Sequence, residues 1–165
     1  VASKSQVVKG GGLIAAAMLL AIPFITDHEG ESLKAYQDVG GVYTICHGET
    51  SGVKAEQVAT KEACDALTKS RVGQFMAQVH ALHKVELSPA TLAAHTSMAY
   101  NIGIAAYARS TTLRLTNAGN IAAGCRAMAN WYTAGGKDCR VRSNNCYGLI
   151  NRRNDEIALC LAGLK

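Results

Sequence analysis

Glu29, Asp38 and Thr44 stand in a spacing that could do chemistry, with eight residues between the first two and five between the second two. Cleaving the bond between two sugars takes a pair of carboxyl groups. One is held protonated and gives its proton to the leaving oxygen; the other is ionised and acts through a water or on the sugar itself. Glu29 falls at the end of an apolar helical run and Asp38 at the entrance of a hairpin. Two carboxyls on such different elements can be given different environments, which is how one serves as acid while the other stays charged. The Thr44 hydroxyl both donates and accepts, so it suits orienting a carboxylate or a water rather than moving a proton. The plainer reading of the same residues is that Glu29 is one of three acids, with Asp27 and Glu31, flanking the apolar run, and that Asp38 is a turn residue.

The elements that would position these groups can be read along the chain. Gly10 to Thr26 carries no charge; Lys4 and Lys9 precede it, and Asp27, Glu29 and Glu31 follow. As a helix this run spans roughly 25 Å, just short of a hydrocarbon core of about 30 Å. A basic flank before and an acidic flank after orient the N-terminus inside and the remainder outside. Gly10 to Gly12, with Ala15, Ala16, Ala17 and Ala21, weaken the run, and no small-x-small cleavage site follows it. It reads as a marginal, uncleaved, reversible anchor, the alternative being the buried first helix of a soluble domain.

Tyr36 to Thr50 reads as a hairpin around Gly40-Gly41. Apolar residues at three- and four-residue steps predict a helix from Thr60 to about His83. Ser88-Pro89 opens another that stops near Gly103, Ser110 caps a short one ending at Asn117 to Gly119, and Asn120 caps one reaching Trp131-Tyr132 and ended by Gly135-Gly136. A last helix should run from about Gly148 to Leu161. The fold class expected is α+β, predominantly helical, with a small hairpin lobe packed on a helical lobe.

A chain of 165 residues suits one compact domain. With 48% hydrophobic and 18% charged residues it is neither a disordered tail nor a multi-span membrane protein. The net charge of +5 favours anionic partners, but the basic residues are spread, with one small cluster from Arg140 to Arg153, so nucleic acid is not expected. The six cysteines permit fifteen pairings and form neither a C-x-x-C pair nor zinc-finger spacing with histidine. In an exported chain they read as disulfides. No metal and no cofactor is expected.

Fuller motifs surround the three residues first noted. HEG at 28–30, then Asp38, then TICHGET at 44–50, is similar to the signature of the T4-type phage lysozymes, glycoside hydrolase family 24. The resemblance continues in AYNIG at 99–103, NWYTAGGK at 130–137 and GLINRRNDE at 148–156, and it covers residue 27 to the end. It implies hydrolysis of the β-1,4 bond between N-acetylmuramic acid and N-acetylglucosamine in peptidoglycan. Glu29 would be the general acid, and Asp38, with Thr44, would position the attacking water, giving inversion. Asn101 and His47 become candidates for substrate contact, against helix capping for the first and a structural hydrogen bond for the second. Trp131 is expected in the core, and Arg152 and Arg153 are expected to include one buried ion-pairing arginine. Cys139–Cys146 would close a short loop, with Cys46–Cys64 and Cys125–Cys160 joining segments that such a fold could bring close. The insertion DCRVRSNNC at 138–146 departs from the plainest members.

The apolar N-terminus narrows the resemblance to the signal-anchor-release endolysins of phages infecting Gram-negative bacteria. That implies residues 1–26 as a signal-anchor-release segment and 27–165 as the catalytic domain. Residues 10–26 would tether a monomer to the periplasmic face of the host inner membrane, with a holin or pinholin as functional partner, until release into the periplasm. No cysteine lies in residues 1–26, so activation by an anchor thiol attacking a disulfide is not expected. The route left is conformational, with residues 10–26 repacking on the domain and extending its first helix. A lytic transglycosylase and a non-enzymatic, membrane-active lysis protein are the rival readings.

Overall fold

The computed structural model describes residues 4–38 and 40–165, with side chains from Gly11 onward. The first helix, α1 (Lys4–Glu29), runs unbroken from the weakly apolar segment into the HEG motif. It places Ala17, Ala21 and Ile25, one face at four-residue spacing, fully inside the core. Leu19 and Leu20 point the other way and are exposed.

The hairpin follows at once. Strands β1 (Ser32–Gln37) and β2 (Tyr43–Cys46) pair antiparallel, with Tyr36 opposite Thr44 and Gln37 opposite Tyr43. Asp38 builds the turn between them. Its Oδ1 accepts from the backbone N–H of Gly40 at 2.8 Å and of Val42 at 2.9 Å. Gly41 takes a positive φ of 77°, open to glycine without a side-chain clash.

The helical lobe is built around α3 (Pro89–Ile102). Thr91 to Ala99 are buried in an unbroken row, as a helix surrounded on all sides requires. Ser88 caps it by accepting from Thr91 N–H at 3.1 Å, and Pro89 sits where its missing N–H costs nothing. Around it pack α1, α2 (Lys61–Leu82) and α7 (Gly148–Ala162). Two short capped helices complete the lobe: α5 (Thr111–Asn117) behind Ser110 and α6 (Ile121–Ala127) behind Asn120. Val72, Met76 and Val79 of α2, Leu92 and Met98 of α3, and Tyr107 join Ile25 in one core.

Two features differ from the sequence expectation. A five-residue helix, α4 (Ile104–Ala108), follows α3 directly, with Gly103 at φ 86° ending one and starting the other. The helix after Asn120 stops at Ala127, gives one 3-10 turn at Met128–Asn130, and does not reach Tyr132. Gly135 and Gly136 do not end that helix. Both have positive φ, 54° and 76°, and form the two-residue turn of a second hairpin, β3 (Thr133–Ala134) with β4 (Lys137–Asp138).

The six cysteines pair as Cys46–Cys64, Cys125–Cys160 and Cys139–Cys146. The first ties β2 to α2, the second α6 to α7, and the third closes the loop after β4. Trp131 is half-buried and packs against the main core.

Candidate active site

Glu29 is the last residue of α1, and its position is set from three sides. Its Oε1 accepts from Nη1 of Arg152 at 2.5 Å. The backbone turn after β2 closes on the other oxygen: a side chain built on Gly48 would meet Oε2 at 3.4 Å. Beneath α1, Ile25 is locked in the core. The carboxylate keeps 21% of its side-chain surface exposed, and it faces a cleft of about 520 Å³. Asn101, Ala134, Asn145, Gly148 and Arg152 line this cleft with it.

Arg152 in turn belongs to a buried network. Its Nε donates to Glu156 Oε1 at 3.1 Å, and Ser97 Oγ donates to the same oxygen at 2.7 Å. Arg153 donates to the other oxygen of Glu156, which is wholly buried, and to Asn101 Oδ1. Both arginines are therefore buried and ion-paired, where the sequence suggested one. Arg153 and Glu156, three apart on α7, share a helix face. Removing one partner from such a network leaves an uncompensated buried charge, a loss of about 3–5 kcal/mol. The hold on Glu29 is thus a rigid one, running from α7 through Arg152 to the end of α1.

The hairpin carries Asp38, Thr44 and His47, and none of them lines the Glu29 cavity among the described residues. Asp38 spends Oδ1 on its own turn, while Oδ2 has no hydrogen bond among the described residues. Thr44 is buried, and its hydroxyl donates to the Val42 carbonyl at 3.1 Å rather than to a carboxylate. Its lone pairs remain to accept. His47 is also buried: Nδ1 lies 2.9 Å from Thr68 Oγ1 of α2, and Nε2 lies 3.9 Å from Glu31. Asn101 stands at the last turn of α3, in the cleft wall beside Glu29, held by Arg153.

Tyr100 links the two lobes, donating from its hydroxyl to the His47 carbonyl at 3.1 Å. Burial, reinforced by the negative charges of Glu29 and Glu49, pushes this phenol up to about 12, so it remains a donor at any working pH. The sequence reading gave no role to Tyr100, Ser97 or Glu156, although the AYNIG and GLINRRNDE motifs contain the first and the last. Glu156 left a trace in its helical spacing from Arg152 and Arg153; the roles of the other two could not be read, because their partners lie 53 and 59 residues away.

A hairpin lobe against a helical lobe, with an acid at the junction held by a buried arginine, defines a lysozyme-like protein. The chain belongs to the phage lysozyme family, whose family model matches residues 26–156. It is a lysozyme, a glycoside hydrolase acting on peptidoglycan. It is 38% identical over 146 residues to the SAR-endolysin of Escherichia phage 933W, spanning 86% of this chain and 82% of that one. Among solved structures, the muramidase domain of SpmX from Asticaccaulis excentricus superposes with a TM-score of 0.77 at 29% identity, covering 86% of this chain and 95% of that one. The endolysin from Escherichia coli O157:H7 phage FAHEc1 does so with a TM-score of 0.74 at 35% identity, over 86% and 90%.

Proposed function

We propose that this lysozyme lyses the host of a phage by cutting the β-1,4 bond between N-acetylmuramic acid and N-acetylglucosamine, with Glu29 as the acid. The observation that carries this reading is the Glu29 carboxylate fixed between Arg152 and Gly48 at the mouth of the cleft. Glu29 protonates the leaving oxygen. Asp38 takes the proton of a water through its uncommitted Oδ2, and Thr44 accepts from the same water. Attack from the side opposite the leaving group inverts the anomeric carbon. Asn101, in the cleft wall, contacts sugar. His47, buried between β2 and α2, acts on substrate only through the hairpin it holds.

Residues 1–26 act in two places. Gly11 to Glu29 is long and apolar enough to cross a membrane by length and composition. In the host inner membrane it tethers the chain on the periplasmic face, with Glu29 displaced from the cleft. A holin or pinholin ends the tethering, the segment leaves the bilayer, and a monomer with α1 packed as described works in the periplasm. The boundary between residues 26 and 27 is then one of function, since α1 is continuous across it.

Turbidity of purified peptidoglycan, followed with wild type and Glu29→Gln of equal thermal stability, tests the chemistry. The expected outcome is a loss of about 100-fold or more in the variant, the usual worth of a general acid. Wild-type products should carry reducing ends. Equal clearing by both proteins, or anhydro-muramyl ends, would refute it.

A further inference from the structure

Residues 87–137 hold no acid, a stretch that covers all of α3 to α6. Its cations are Arg109, Arg114, Arg126 and Lys137. Two of them, Arg109 and Arg114, meet Lys84 around a cavity of about 530 Å³ on the helical lobe. None of the residues lining it lines the Glu29 cleft.

Specific bonds build this cavity. Asn117, the last residue of α5, accepts from the Lys84 N–H at 2.8 Å and donates to the Leu82 carbonyl at 3.0 Å. The chain leaving α2 is thereby pinned against the end of α5, which brings Lys84 to two arginines more than twenty residues away. Arg109 closes α4 and Arg114 lies in α5, with Ser110 capping α5 between them. Ser110 also lines the cavity and is 4% exposed. Its Oγ accepts from the Leu113 N–H at 3.1 Å, and its hydroxyl proton has no acceptor among the described residues. A buried donor thus remains uncommitted beside three cations.

Lys84, Arg109 and Arg114 are all exposed, and none has an ion-pair partner among the described residues. Glu86, the acid nearest in sequence to Lys84, does not line the cavity, and no other acid does. Three like charges around one concavity repel one another and focus a positive potential in it, which one multivalent anion would answer. A guanidinium fork matches two oxygens of a phosphate at once, and an ammonium takes another as a point charge. A carboxylate, with one charge and two oxygens, is too small a partner for this set. We propose that the cavity is a phosphate-binding site, separate from the catalytic cleft, that takes free phosphate or the phosphate ester of a lipid headgroup.

The test uses the full chain as wild type, as the triple variant Lys84→Gln/Arg109→Gln/Arg114→Gln, and as a control of equal charge, Lys54→Gln/Lys69→Gln/Lys165→Gln. The control lysines are exposed and lie outside the cavity. All three proteins should melt alike and clear peptidoglycan alike; if the triple variant melts early, the single substitutions replace it. In one arm, inorganic phosphate is titrated while the backbone amides of Ser110, Leu113 and Ala118 are followed by NMR. In the other, the proteins are sedimented with phosphatidylcholine vesicles with and without phosphatidylglycerol. Free phosphate as the ligand predicts saturable shifts in wild type and control, weakened about tenfold or more in the triple variant. A lipid phosphate predicts binding to the phosphatidylglycerol vesicles, weakened about fivefold for each cation removed from the cavity and little in the control. Added salt should weaken either. The proposal is overturned if neither phosphate nor vesicles bind, if the control loses as much as the triple variant, or if chloride at equal ionic strength gives the same shifts.

Discussion

At the scale of single residues, the polar groups buried away from the cleft are as informative as those in it. His95, wholly buried on α3, shares a hydrogen bond of 2.6 Å between Nδ1 and the Tyr107 hydroxyl, while its Nε2 has no partner among the described residues. Burial, then the neighbouring His83, pushes the His95 imidazole down to about 3, and burial likewise lowers His83. In the unfolded chain both histidines take up a proton near pH 6.5. Below that pH the unfolded state binds protons that the folded state does not, so the stability present above pH 6.5 falls away as the pH drops towards 3. A thermal-melt series from pH 7.5 to 4 should show this decline, and His95→Gln should flatten it. An unchanged slope in the variant would show that His95 titrates as an ordinary exposed histidine. The acid at the cleft was legible in the sequence because its motif is local. Its arginine was legible only as one of two adjacent candidates, since the pairing of Glu29 with Arg152 spans 123 residues and nothing in local spacing announces it.

At the scale of elements, short-range chemistry decided what could be read. Ser88, Ser110 and Asn120 each accept from the N–H three residues on, the bond that a capping side chain makes with an otherwise orphaned donor. The first hairpin was visible through Gly40-Gly41, but the second was read as a helix end, because Gly-Gly serves both purposes and strands of two residues have no alternation to show. Helix α4 is too short for a period of its own. Where α5 meets α6, Gly124 is a requirement of close approach. A methyl group there would lie 2.1 Å from Thr116 Oγ1 and 2.9 Å from the Thr112 carbonyl oxygen. Alanine would gain about 1 kcal/mol of helix propensity. Overpacking against a fixed backbone costs about 1–3 kcal/mol and, at contacts this short, wins. Gly124→Ala should therefore lower the melting temperature by several degrees, read by circular dichroism; a rise would mean that α5 and α6 can part freely.

For the whole molecule, the question is what the N-terminal helix contributes. Ala17, Ala21 and Ile25 are enclosed by the same core as α2 and α3, and Leu13, Ile14, Met18 and Ile22 pack against it. At about 1.5–3 kcal/mol for each large side chain fully buried, even partial burial of this set rivals the total stability of a domain, about 5–15 kcal/mol. A protein lacking residues 1–26 should lose its cooperative melt and its muralytic activity together, measured by near-ultraviolet dichroism and turbidity. Full activity in the truncated chain would show that packing of this helix is unnecessary for the cleft. From sequence the segment was legible as weakly apolar, and its two possible fates, anchor or buried helix, were both visible. That it would pack on the domain and extend the first helix was an expectation that the core bears out; which face packs was not legible, because alanine at four-residue spacing looks the same in a membrane and against another helix.

Those alanines have a consequence for how the chain can change. On the anchoring role proposed above, the segment would be judged in lipid and in a protein interior with one composition. Leucine at position 17 or 21 would strengthen a membrane helix, yet each site has no surface left to give, so the added atoms would pry α1 from its neighbours. The interior of the enzyme thereby sets a ceiling on how greasy the segment can become. A lineage drifting towards a permanent membrane span would meet failing catalysis before it met failing release, and timing and activity would have to evolve through the same few methyl groups.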